Sequence, residues 1–366
     1  MIRGYSGAQT PPSPFPTMPK LPRTTWLLPA LLALAGCART VVLNPSGDVA
    51  RQQGDLILVA TALMLIVIVP VIGLTLFFAW RYRASNRSAP YTPDWDHSTQ
   101  LELVIWGGPL LIILALGAIT WITTHTLDPY RPLDRIAPGK PVPVDVKPLE
   151  VQVVSLDWKW LFIYPEQGVA AVNELALPVD RPVRFLLTSS TVMNAFYIPE
   201  LAGMIYTMPS MQTQLNAVAN QPGEFVGFSS NYSGAGFSWM RFAVHATDEA
   251  GFQAWVSKAR AAGERLDRAR YLALEKPSER EPARLFAGVD PGLYDAVLNR
   301  CVDPNRMCMH EMMAIDAAGG RSASGSGLAM LRNRSRGDLR GRPYVPSEVC
   351  TADAPPPAWT LALRAP

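Results

Sequence analysis

The sequence predicts a membrane α plus all-β protein, in which an N-terminal two-helix transmembrane hairpin is followed by an extracytoplasmic β-sandwich. Three observations carry this. Residues 56–80 and 103–124 are apolar runs without a charged side chain. A loop holding Arg81, Arg83 and Arg87 separates them. Beyond Lys147 the pattern changes to short alternating stretches rich in β-branched and aromatic residues, broken by Pro and Gly, of which the 366-residue chain has 34 and 26.

From the N-terminus, residues 1–36 read as an export signal. Lys20 and Arg23 precede the apolar run WLLPALLALAG, and small residues come before the cut. A start at Met18 gives a more compact signal. Leu34-Ala35-Gly36-Cys37 matches the pattern of a bacterial lipoprotein signal, which makes Cys37 the expected site of lipid attachment. Residues 37–55 then form an outer segment ahead of the first span, assigned to 56–82.

The uncharged cores of the two spans reach ~37 Å and ~33 Å at the helical rise, sufficient for a bilayer with some tilt. Pro70 and Gly73 are tolerable where neighbours satisfy the freed backbone groups. The basic loop, residues 83–100, belongs on the cytoplasmic side, and the second span, residues 101–126, returns the chain to the outside. Trp80, Trp106 and Trp121 sit near span ends, where interfacial aromatics are expected. Glu102 stands at the inner mouth of the second span, and its spacing alone fits a snorkelling anchor.

Residues 127–250 make the outer domain, with the sandwich itself from about 148 to 250. LEVQVVSLDWKWLFIY, RPVRFLLTSS, QTQLNAVA, GEFVGFSS and MRFAVHA are its strand candidates. The chemistry it offers is sparse. No Ser-His-Asp set, phosphate-binding glycine loop or zinc spacing is present. His245 is the single His between 148 and 250, and a lone His within a strand is structural. The net charge of +3 selects no partner, and no nucleic acid is expected.

Residues 251–315 are read as a helical extension packed on the sandwich, with a break at Gly263. Within it, CVDPNRMCMHEMMAID holds Cys301, Cys308, His310 and four Met. A disulfide or free thiols fits an oxidising compartment, and Cu(I) is the alternative for so many soft ligands. Three Cys besides Cys37 leave one of Cys301, Cys308 and Cys350 unpaired. Residues 316–366 read as a disordered tail, Arg-, Gly- and Ser-rich over 321–342.

Two spans ahead of a sandwich that begins DWKWLFIYP resemble subunit II of the haem-copper respiratory oxidases, over about residues 45–315. RYRASNR, VMNAFYIP and NYSGAGFSWM are similar to the quinol-oxidising branch, the cytochrome bo-type ubiquinol oxidases. The resemblance implies a cupredoxin-like sandwich. In cytochrome c-oxidising members a loop Cys-x3-Cys-x3-His-x2-Met and an upstream His hold two copper ions. Counted back from Met240, those positions here are Ser229, Ser233 and Phe237, the intervening Glu falls on Asn231, and the upstream His falls on Asn194. A dicopper centre depends on thiolates and imidazoles, so the loop is expected to keep its length and Met without the metal.

The resemblance also implies an accessory subunit of a proton-pumping quinol oxidase, with no cofactor of its own and with haems and copper in subunit I. Subunit I, smaller membrane subunits, membrane lipid and the quinol pool are the implied partners. Glu102, within HSTQLE, falls on a carboxylate that implies proton uptake. Trp158 and Trp160 match an aromatic pair near the electron-accepting region of copper-bearing relatives. Here, packing of the sandwich against subunit I is favoured for them. The alternatives are a dicopper cytochrome c oxidase subunit and a lipoprotein that binds or delivers copper.

Overall fold

The computed structural model describes residues 40–90 and 92–317. The signal segment, Cys37, Cys350 and the Arg-rich tail lie outside these residues. Two helices, α1 (Asp48–Arg81) and α2 (Thr99–Thr126), are long and apolar enough to cross a membrane. They form the expected hairpin. α1 starts well before residue 56, where the apolar run begins. Its first two turns are polar and therefore invisible to hydropathy, and they reach ~12 Å beyond the run. They are held by the sandwich instead: the N–H groups of Ser46 and Gly47 donate to the Glu200 carbonyl at 2.9 and 2.8 Å, and Ala50 N–H donates to Leu201. Gly47 is required there, because a β-carbon would stand 2.5 Å from the Val218 carbonyl oxygen.

A small hairpin, β1 (Arg135–Ala137) and β2 (Lys140–Pro141), leads into the sandwich. The strands are β3 (Leu149–Leu156), β4 (Lys159–Tyr164), β5 (Val169–Val172), β6 (Glu174–Pro178), β7 (Val183–Ser189), β8 (Asn194–Tyr197), β9 (Ile205–Thr207), β10 (Thr213–Ala217), β11 (Gly223–Ser229) and β12 (Arg241–Thr247). After them come α3 (Glu249–Ala261), β13 (Arg265–Leu266), α4 (Arg268–Glu275), β14 (Arg284–Phe286), β15 (Gly288–Val289), α5 (Leu293–Leu298) and α6 (Met309–Ala317). One sheet has the order β10-β7-β3-β4-β5-β14 and the other β6-β12-β11-β8-β9. β3 runs parallel to β7 and β12 parallel to β6, and the other neighbours are antiparallel.

The core between the sheets is aromatic. Trp160, Phe162, Phe185, Phe196 and Phe242 meet there, with Phe196 stacked on Phe242 at 5.5 Å. A second apolar layer lies on the far face of the six-stranded sheet, where Leu161 and Ile163 pack with Tyr271, Leu274 and Phe286. Every residue of β4 is buried. Burial on both faces explains why KWLFIY reads as a near-continuous apolar run.

The extension corrects the all-helical expectation for 251–315. Gly263, at φ 77°, does separate α3 from α4, but β14 then joins the edge of β5 and completes the first sheet. A three-residue strand has no period to read, and the exposed edge of β5 selects it. The sandwich therefore does not end at residue 250.

Candidate functional site

β11 ends at Ser229 and β12 begins at Arg241, so the intervening loop is anchored by two paired strands. Backbone hydrogen bonds close it: Ser229 N–H to the Met240 carbonyl at 3.1 Å, Ser230 N–H to Ala195 at 3.0 Å, and a 3-10 turn over Phe237–Trp239. β8 starts at Asn194 and pairs with the end of β11. The fold thus gathers all the positions that the sequence comparison singles out.

Ser229 and Asn194 bond to each other, and backbone carbonyls take most of the remaining donors. Ser229 Oγ lies 3.1 Å from Asn194 Oδ1 and 3.2 Å from the Asn231 carbonyl, two acceptors for its proton, and it accepts from Ala195 N–H at 3.4 Å. Asn194 donates to the Val192 carbonyl, and Asn231 to that of Met193 at 3.2 Å. Asn194 and Ser229 are buried, and Met240 is fully buried in the inter-sheet core. Phe237 packs edge-on against Tyr232 at 5.6 Å. Ser233 carries a buried hydroxyl without a partner. Hydroxyls, carboxamides, a phenyl ring and one core thioether do not fit a dicopper centre, whose bridging ligands are thiolates. Among the described residues, no group of three or more His, Cys, Asp and Glu is arranged to hold a metal ion.

The two tryptophans part company. Trp160 has no exposed surface and sits at the centre of the aromatic core, so it cannot face another subunit. Alternation along the strand sends it inward. This corrects the expectation of an interface pair. Trp158, in the β3–β4 turn, has φ 67°, a conformation rare for a bulky residue. Its Nε1–H donates to the Ser233 carbonyl at 3.0 Å, and its ring lies over Gly234 and Gly236. A β-carbon on Gly236 would stand 2.4 Å from the indole. Trp158 therefore packs on the loop, with part of its surface still exposed.

Sequence reasoning missed three residues around this loop. Lys159 is buried, and its Nζ donates to the Lys276 carbonyl at 2.9 Å, Ser278 Oγ at 2.6 Å and the Asp157 carbonyl at 3.3 Å. Burial lowers its pKa, opposed by the nearby Glu281 and Asp157 carboxylates. Asn173, at φ 55°, accepts from Trp160 N–H and donates to the Glu281 carbonyl at 2.8 Å. The Arg280 guanidinium lies 3.9 Å over the ring of Trp239. All three act over long sequence separations, and no local motif signals them.

Glu102 is exposed at the start of α2, 2.8 Å from His97 Nδ1, and the other ring nitrogen of His97 meets Thr99 Oγ1 at 3.2 Å. His97 thus gains a partner that its loop position did not suggest. His245 is half-buried on β12 between Glu174 and Glu224, at 3.8 and 3.5 Å, as a structural residue would be. Cys301 and Cys308 are joined in a disulfide that closes the segment before α6. This takes both thiols from the soft-ligand cluster and leaves His310 and the methionines.

Residues 150–247 match the model of the cytochrome c oxidase subunit II periplasmic domain, and residues 260–305 match the COX aromatic rich motif. The sandwich is accordingly cupredoxin-like. The chain is 50% identical over 289 residues to cytochrome bo(3) ubiquinol oxidase subunit 2 of Pseudomonas putida, covering 78% of this chain and 89% of that protein. It is 54% identical over 274 residues to the protein of the same name from Pseudomonas aeruginosa, covering 75% and 80%. It is also 51% identical over 271 residues to ubiquinol oxidase subunit 2 of Acetobacter aceti, covering 74% and 85%. With two membrane-length helices, the periplasmic-domain match and this similarity over most of its length, the chain belongs to the subunit 2 family of cytochrome bo(3)-type ubiquinol oxidases, as a membrane-anchored subunit of an oxidase complex.

Proposed function

We propose that the chain is the accessory subunit of a proton-pumping ubiquinol oxidase of the aerobic respiratory chain and carries no redox centre itself. Electrons pass from membrane quinol to haem and copper in subunit I, and oxygen is reduced to water there. The observation that carries the non-redox role is the closed hydrogen-bond set of Asn194, Ser229 and Asn231 at the positions where a dicopper centre needs sulfur and imidazole. The cytochrome c reading and the copper-delivery reading are not favoured, and the Cys301–Cys308 disulfide weakens the second.

In this reading α1 and α2 flank subunit I in the bacterial inner membrane, with smaller membrane subunits and lipid beside them. Arg81, Arg83 and Arg87 keep the intervening loop in the cytoplasm, and Arg83 lies over the Trp80 ring at 5.9 Å, an interfacial pairing. The sandwich caps the complex on the periplasmic side, and Cys37 adds acyl chains at the outer face. Glu102 takes up protons from the cytoplasm, with His97 hydrogen-bonded beside it.

The test is a purified membrane complex assayed with ubiquinol and with reduced cytochrome c, with haem spectra and copper analysis of the separated subunit. Oxygen uptake is expected with quinol alone and no copper is expected on this chain. Stoichiometric copper in the sandwich, or turnover with cytochrome c, overturns the reading.

A further inference from the structure

We infer that residues 276–281 of the C-terminal extension form a clamp that fixes the 229–240 loop, with Arg280 gripping Trp239 as its working contact. The inference goes beyond the oxidase reading and does not depend on which electron donor is used.

The segment is tied down at both ends. Lys159 takes the Lys276 carbonyl and Ser278 Oγ at one end, and Asn173 donates to the Glu281 carbonyl at the other. Ser278 Oγ also lies 2.9 Å from Glu281 Oε2, which braces the short turn internally. From this frame Arg280 projects onto Trp239, in the 3-10 turn that precedes Met240. Earlier along the loop, Trp158 packs over Gly234 and Gly236 and bonds to Ser233. Trp158 and Lys159 are consecutive, so one turn of chain holds the loop through the first and the clamp through the second.

Backbone conformation supports the same assignment. Trp158, Asn173 and Arg280, at φ 67°, 55° and 54°, are three of the six non-glycine residues with positive φ among the described residues. Such conformations persist where surrounding contacts over-determine them, and they concentrate at functional segments. Asn173 binds between strands, and Trp158 and Arg280 both bear on the loop. The loop presents Tyr232 and Trp239 outward, 76% and 47% exposed; Tyr232 packs on Phe237 within the loop, while the Trp239 ring has the Arg280 guanidinium over it.

The test is amide hydrogen exchange on the full-length chain extracted from membranes. Phe237, Trp239 and Met240 have hydrogen-bonded N–H groups within the loop and serve as reporters. Arg280→Gln removes the guanidinium at an exposed position and leaves the core intact. It is expected to accelerate exchange at the reporters by roughly twofold to fivefold, the range of one exposed cation–π contact, with no change at β3 and β4. Trp239→Leu is the complementary variant, and Arg280→Gln combined with it is expected to add nothing to the larger single effect. Unchanged reporter exchange in Arg280→Gln, equal acceleration across the sandwich, or additive effects in the double variant overturn the clamp.

Discussion

Gly236 has no β-carbon, and the indole of Trp158 occupies the space one would need. That contact turns a flexible residue type into a packing requirement. Gly236→Ala places a methyl group 2.4 Å from the ring and is expected to destabilise the domain by about 1–3 kcal/mol, as overpacking does. The thermal midpoint should fall by about 2–4 °C for each kcal/mol, and an unchanged midpoint would show that the loop yields freely. At this scale the sequence showed much of the site. Ser229, Asn231, Ser233, Phe237, Met240 and Asn194 were located through the resemblance, by counting along the loop pattern of the copper-bearing relatives. Their mutual hydrogen bonds were not legible, since Asn194 and Ser229 are 35 residues apart. Arg280 was hidden for the same reason: nothing within a few residues of it refers to Trp239.

β4 shows how an element carries two cores. Trp160, Phe162 and Tyr164 point between the sheets, while Leu161 and Ile163 point into the layer covered by the extension. A strand buried on both faces has no polar alternation, so its presence was readable and its second partner was not. That partner includes β14, whose Phe286 is buried and paired opposite Ala170. Phe286→Ala is expected to cost about 3–5 kcal/mol, as large-to-small changes in a packed core do. Denaturant unfolding should show one transition at a lower midpoint, because β14 completes the same sheet as β3 and β4. A separate early transition would mean that the extension folds as its own unit. The helices α3 and α4 were legible from their apolar spacing. Asp248 and Asp267 cap them through Gly251 N–H and Arg270 N–H, respectively.

Across the whole molecule, one buried carboxylate reinforces the backbone bonds that join α1 to the sandwich. Asp48, in the first turn of α1, is almost inaccessible, and its Oδ2 accepts from Arg135 Nε and Gln52 Nε2, both at 2.8 Å. The first span thereby continues into the outer domain instead of hanging from it by a linker. Glu102 lies at the other end of the hairpin, exposed on the opposite side of the proposed membrane. Glu102→Gln keeps the shape and removes the ionisable proton. Assembly of the complex is expected to be preserved and proton uptake during turnover to slow, measured by oxygen consumption and proton translocation in vesicles. Unimpaired pumping in that variant would remove Glu102 from the proton path. The sequence by itself determined the two membrane-length apolar runs, the strand-rich domain and which side chains stand at the loop positions, because hydropathy, strand patterning and residue identity are local. Only the tertiary structure decided that Trp160 is core while Trp158 packs on the loop, that β14 belongs to the sandwich, and that Arg280 reaches Trp239. Each of these depends on surfaces brought together from distant parts of the chain, and such contacts are selected by packing and by hydrogen bonds that no short stretch of sequence encodes.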